Sequence, residues 1–162
     1  MKLIKLAFIS VLVIFLIATA FSLLIPSHVR ISKAINLRAP GDSVLSLVRS
    51  TANWQRWHPA FQGENPARFR PIDIKTTSDS DSEVVMRLQQ GGKEPVVNGW
   101  KLYSYEGIDS ITLQWYMDFQ LKWYPWKKFG SLFYENTYGL MMQQGLENIK
   151  NELQASRPEP RN

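Results

Sequence analysis

His28 and His58 are the only imidazoles in the chain, and cysteine is absent. A thiolate nucleophile, a thiolate zinc site and a disulfide are therefore excluded. No HxH, HExxH or carboxylate–histidine cluster surrounds either histidine, so a catalytic zinc is not encoded by any familiar ligand spacing. There is no G-x-S-x-G elbow and no P-loop. Gly91-Gly92-Lys93 is a lone glycine pair before a lysine, with no helical pattern after it, and reads as a hairpin turn. Asp118 has the polar parity of its strand and reads as solvated. Glu135 and Asn136 read as surface or capping groups at the start of a helix, or as hydrogen-bond partners of a ligand. His58, bracketed by Trp57 and Pro59, reads as structural. No nucleophile and no matched acid–base pair emerges, so no catalytic residue, metal or cofactor is expected.

The aromatic content says more. Six Trp, six Tyr and eight Phe in 162 residues imply a large aromatic core or an aromatic-lined cavity. Residues 121–129 interleave Trp123, Tyr124 and Trp126 with Lys122, Lys127 and Lys128. Tryptophan and tyrosine favour the bilayer interface, and lysine favours anionic headgroups. Trp123, Tyr124, Trp126, Lys127 and Lys128 are therefore expected at a membrane surface, the alternative being that the rings pack the end of the core. The net charge of +5 is spread along the chain and forms no concentrated basic stripe, so nucleic acid is not an expected partner.

Residues 6–25 are apolar apart from Ser10, Thr19 and Ser22, and carry no charge. About 20 such residues span a hydrocarbon core of about 30 Å. Lys2 and Lys5 with Ala18-Thr19-Ala20 also fit a cleaved signal peptide, but the apolar run continues through Ile25 past that point. The expectation is a transmembrane anchor over residues 1–26, a folded domain over 27–156 and a polar, disordered tail over 157–162. Basic residues on the two sides of the apolar run nearly balance. The short leading segment favours a domain outside the cytoplasm.

Beyond Pro26 the patterns are those of an α+β domain. His28 to Leu37 alternates with a period of two, broken by Lys33, which places Lys33 at an edge. Residues 43–50 have helical spacing, and Asn53 is positioned to cap a second short helix holding Trp54 and Trp57. Strands are expected over 71–76, 83–89, 96–106 and 110–123, joined by short turns that favour antiparallel pairing, with a loop over 60–70. The last strand alternates most strongly, with Ile111, Leu113, Trp115, Met117, Phe119, Leu121 and Trp123 on one face. One long helix is expected over residues 128–154, with a stripe of Met142, Leu146, Ile149 and Leu153. Gly139 and Gly145 each cost about 1 kcal/mol relative to alanine inside it, a cost that close packing or room for a ligand would offset.

Three stretches carry a resemblance. They are the first strand running into Ala39-Pro40, the segment Asn53-Trp54-x-x-Trp57-His58-Pro59, and Tyr138-Gly139 followed by Gln144-Gly145-Leu146-Glu147-Asn148-Ile149-Lys150. Together they resemble the START-like (SRPBCC) superfamily, in particular its polyketide cyclase/dehydrase and lipid-transport branch. The resemblance covers about residues 27–155 and implies a helix-grip fold: a curved antiparallel sheet around a long C-terminal helix, with an apolar cavity between. Trp57, Trp115, Met117, Phe119, Tyr138, Gly139, Met141, Met142 and Gly145 are the residues expected to line it, with a filled core as the alternative. Methionine suits an adaptable pocket wall. The leading expectation is a membrane-tethered carrier or sensor of a hydrophobic small molecule or lipid. The alternatives are an envelope protein-interaction module with a filled core, and a cyclase/dehydrase-type enzyme.

Overall fold

Pro26 marks the point at which the chain changes from a uniformly apolar helix to an alternating strand. The computed structural model describes residues 2–62, 72–105, 107 and 110–156. The tail at 157–162, residues 63–70 of the expected loop and part of the turn at 107–109 lie outside the described residues. The first helix, α1 (Lys2–Ser22), is exposed along nearly its whole length. It is long and apolar enough to cross a membrane, a test that a signal sequence also passes.

The rest of the chain has a helix-grip fold. The elements in order are β1 (His28–Leu37), α2 (Gly41–Arg49), a 3-10 turn (Thr51–Asn53), the single turn α3 (Trp54–Trp57), β2 (Ile72–Asp79), β3 (Glu83–Gln90), β4 (Val96–Ser104), β5 (Ile111–Gln120), α4 (Pro125–Ser131), a π-helical segment (Glu135–Gly139) and α5 (Leu140–Ala155). The five strands form one sheet in the order β1-β5-β4-β3-β2. Every adjacent pair is antiparallel. Gly91, at φ 56°, makes the β3–β4 turn, a left-handed conformation that glycine adopts without steric cost. Lys33 does lie on an edge strand. Asn53 does not cap α3; its side-chain amide donates instead to the Ser46 carbonyl at 3.2 Å.

The inner face of β5 meets α5 through the buried side chains Leu113, Trp115, Met142, Leu146 and Ile149. Trp54, Trp57, Trp100 and Trp115 are completely buried together. The W-x-x-W spacing has a local purpose. The Trp54 indole donates to the Val48 carbonyl at 2.9 Å, and that of Trp57 to the Leu47 carbonyl at 3.0 Å. Both acceptors belong to the last turn of α2, whose carbonyls have no intrahelical partner. The Asn148 amide donates to the Trp57 carbonyl at 2.9 Å and ties α3 to α5.

The expected single helix over 128–154 is instead three pieces. It breaks at Leu132–Phe133, and a π-helical turn follows. At that turn Lys33 of β1 reaches Glu135 at 2.5 Å. The Lys33 stem crosses Gly139, where a Cβ would stand 3.1 Å from Lys33 Cε. A π turn inserts one extra residue into the ladder, and here it accommodates the crossing side chain. Asp118, expected to be solvated, is paired: Arg30 clamps both its oxygens at 2.6 Å. That pairing holds its carboxyl below the usual range.

His58 is 3% exposed and is packed by the rings of Trp54, Trp57, Phe61 and Trp115. Burial lowers its pKa to about 4, from an ordinary 6.5. Above pH 6.5 the imidazole is neutral whether the chain is folded or not. Below it, the unfolded chain takes up the proton first, so stability falls as the pH drops from about 6.5 towards 4. This single group accounts for about 3 kcal/mol across that window. Urea melts at both ends of the window should show the loss, and a folded His58→Phe variant should lack that share of it.

Candidate functional site

The nine side chains expected around a cavity divide into two groups. Trp57, Trp115, Met142 and Gly145 form the packed centre of the core. A Cβ on Gly145 would stand 2.7 Å from the Trp115 ring and 3.2 Å from Pro59. Gly145 is thus small because an indole lies on it. Gly139 is buried beside the Lys33–Glu135 pair, Met117 belongs to the buried core, and Met141 packs against that core half-exposed. Phe119 and Tyr138 do line open space.

That space is a cleft of about 280 Å³, bounded by the turn at Gly92–Val96, the end of β5 with Leu121 and Lys122, Lys127 of α4, and Tyr134 and Tyr138. Its floor is a triangle of rings. Phe119 lies 4.8 Å from both tyrosines, and the tyrosines lie edge to face at 5.3 Å. The π turn sets this geometry, because Tyr134 stands just before it and Tyr138 within it. Neither tyrosine hydroxyl makes a hydrogen bond among the described residues, and burial raises the pKa of Tyr138, so its hydroxyl stays protonated and able to donate. Tyr134 is the part of the site that the sequence reading missed. The four-residue spacing Tyr134–Tyr138 was its available signal.

Three lysines stand on the rim. Lys122 is paired with Glu94 at 2.8 Å and Lys93 with Gln90 at 3.0 Å. Lys127 has no ion pair among the described residues. Lys128, expected beside it on the surface, is not there. It is 4% exposed, and its ammonium donates to the Ile25 carbonyl at 2.6 Å and to the Ser27 hydroxyl at 2.8 Å. The reason is chemical. A buried ammonium must find acceptors, and the link between α1 and β1 offers the Ile25 carbonyl and the Ser27 hydroxyl. Trp123 and Trp126 are exposed, and the half-buried Tyr124 stacks on Trp126 at 5.0 Å.

Other hollows are less suited to a hydrophobic ligand. One of about 380 Å³ lies at the far end of the sheet, between Asn36–Ala39 and Lys150–Gln154. One of about 210 Å³ lies on the outer face, among polar and charged groups that include His28, Arg87 and Asp118. Among the described residues no cluster of three His, Cys, Asp or Glu side chains is disposed to hold a metal.

This architecture is the START-like fold, shared with cyclase-type proteins. No family model matches the sequence, and no curated protein matches it. Among solved structures, a START superfamily protein from Mycobacterium smegmatis superposes with a TM-score of 0.56 at 14% identity, over 79% of this chain and 99% of that one. CalU16 from Micromonospora echinospora gives 0.53 at 16% identity, over 80% and 77%. The di-domain ARO/CYC protein StfQ of the steffimycin biosynthetic pathway gives 0.58 at 8% identity, over 79% of this chain and 51% of its own length. Identities this low establish a common fold.

The two glycines should respond differently to substitution. Gly145→Ala drives a Cβ into a buried indole and should cost about 1–3 kcal/mol. Gly139→Ala meets only the flexible ends of Glu135 and Lys33, and alanine recovers up to about 1 kcal/mol of helix propensity. Its net effect should be near zero. Denaturant midpoints of the two variants check this.

Proposed function

We propose that this chain is a membrane-tethered binding domain for a hydrophobic small molecule with an anionic head, held by α1 on the extracytoplasmic side. The observation that carries the reading is the position of the aromatic cleft. β5 ends where the Leu121 amide donates to the Ser27 carbonyl at 2.7 Å, so the cleft opens at the end of the domain where the anchor leaves. An apolar floor supplies non-specific affinity, while the unpaired Tyr134 and Tyr138 hydroxyls and Lys127 supply orientation. The START-like and cyclase-type neighbours support a hydrophobic ligand as the kind of partner. The cleft is at the low end of ligand-pocket volumes, which suits a single-chain amphiphile.

A protein-interaction module is the second reading. The packed tryptophan core is the observation that favours it, since Trp57 lies edge to face on Trp115 at 5.5 Å and the Trp115 ring lies against Gly145.

A fragment covering residues 23–156 keeps both acceptors of Lys128 and is suited to the test. It should fold alone, with the circular dichroism of mixed helix and antiparallel sheet, and should bind a fluorescent fatty acid. Lys127→Glu should weaken that binding roughly tenfold, or ~1.4 kcal/mol, and leave an alcohol-headed analogue unaffected. Leu121→Trp, which fills the cleft, should weaken both. A folded fragment that binds neither probe overturns the carrier reading and leaves the interaction module.

A further inference from the structure

Five large apolar side chains are exposed between the end of β5 and the π turn: Trp123 and Trp126 at 61%, Phe129 at 38%, Leu132 at 62% and Phe133 at 66%. Trp126 and Phe129 follow at a spacing of three on one face of α4, and Leu132 and Phe133 are exposed in the turn that ends it. The opposite selection, Pro125, Lys128 and Ser131, is buried. So α4 is amphipathic in an unusual sense: its hidden face carries the lysine, and its open face carries the aromatic rings. Contiguous exposed apolar surface of this kind marks an interaction site.

Its place in the fold identifies the occupant. α4 packs on α1, and Lys128 is bound to Ile25 and Ser27, just beyond the end of the apolar helix. A seven-residue helix is about 10 Å long, so no part of α4 lies far from that end. Leu23 and Leu24, exposed at 71% and 79%, continue the apolar surface of α1 towards it. The headgroup layer begins where a helix of this length leaves the hydrocarbon. Tryptophan is enriched at that depth, and short amphipathic helices lie there with their apolar face turned down.

The geometry points to α4, together with Trp123, Leu132 and Phe133, as an interfacial membrane helix that enters the same leaflet face from which the domain emerges. Lys128 clasps it to the end of the span. The bilayer therefore holds the domain at two points, the span and the ring-bearing face of α4. Lys127, on the cleft rim, sits in this same helix, so the cleft mouth lies at headgroup level. This inference rests on the proposed tether, though not on any ligand in the cleft.

The test uses the full chain in vesicles of phosphatidylcholine and phosphatidylglycerol whose acyl chains are brominated near the headgroup. Bromine quenches only indoles that reach it. Trp54, Trp57, Trp100 and Trp115 are sealed in the core and should not respond. The wild type should lose the emission of Trp123 and Trp126, and the Trp123→Phe, Trp126→Phe double variant should lose almost none. Both substitutions are at exposed sites, so folding should be intact, and near-ultraviolet circular dichroism checks it. Equal quenching of the two proteins, or none of the wild type, overturns the inference. A protein that carbonate extraction strips from the vesicles refutes the tether itself, a separate result. If cross-linking traps two copies through this face and bromine has no effect, the occupant is a second copy of the chain, and the inference falls.

Discussion

The contact of Trp115 with Gly145 is the constraint on which the rest of the architecture turns. An indole laid on a glycine lets α5 approach the sheet closely, and Trp54, Trp57 and Trp100 close around it. The Trp115 N–H is satisfied by Asn98 at 3.1 Å, while that of Trp100 has no acceptor among the described residues. An unpaired buried donor costs about 1–3 kcal/mol, which four buried indoles can offset through apolar burial and ring contacts. The middle of the helix–sheet interface is thereby filled. The aromatic cleft lies towards the end of β5, where Phe119 follows Met117 and the facing chain has widened into a π turn.

Lys128 raises the same question at the other boundary. A buried ammonium is tolerated only when its hydrogen bonds replace its hydration. Ile25 and Ser27 provide two of them. The same bonds fix the short link that follows α1, whose own last carbonyls are paired by the amides of Leu23, Leu24 and Ile25. Neither group is content alone, so the exit of α1 and the position of α4 are determined together. The chain breaks after Ser131, with α4 meeting α1 and α5 packing against β1.

Much of the fold was legible because it depends on short-range pattern. The period of two from His28 to Leu37 marked β1 to the residue, and the alternation around Trp115 identified the buried face of β5. The W-x-x-W segment was recognisable because its indoles serve a helix end a few residues away. The candidate site was legible only in part. Phe119 and Tyr138 were placed by parity and helical spacing, but a filled core and an open one have the same apolar pattern. The difference between them depends on how near α5 lies to the sheet. Lys128 was taken for a surface group because residue type speaks for hydration, and its partners lie a hundred positions away. Phe129, Leu132 and Phe133 were absorbed into one long helix. The break at Leu132–Phe133 and the π turn after it leave no mark on hydrophobic periodicity, and Lys33, which crosses that turn, belongs to a distant strand.

The brevity of the connection bears on what kind of binding protein this would be. From Ser22 to His28 the chain has only residues 23–27 between helix and strand. Five residues reach at most about 18 Å when extended, and here they are further shortened by the bonds of Ile25 and Ser27. A carrier that shuttles between two membranes needs a linker long enough to leave the first. Under the proposed tether, a domain joined this closely would not leave, and its cleft would stay beside the leaflet that holds it. Exchange of an amphiphile between that leaflet and the cleft would then involve no aqueous journey, only the loss of one apolar environment for another. The reading most consistent with such a tether is local extraction and presentation: a molecule is lifted from the bilayer and offered to whatever approaches from the aqueous side. On that reading a small, half-open cleft is adequate, since the bilayer completes its enclosure.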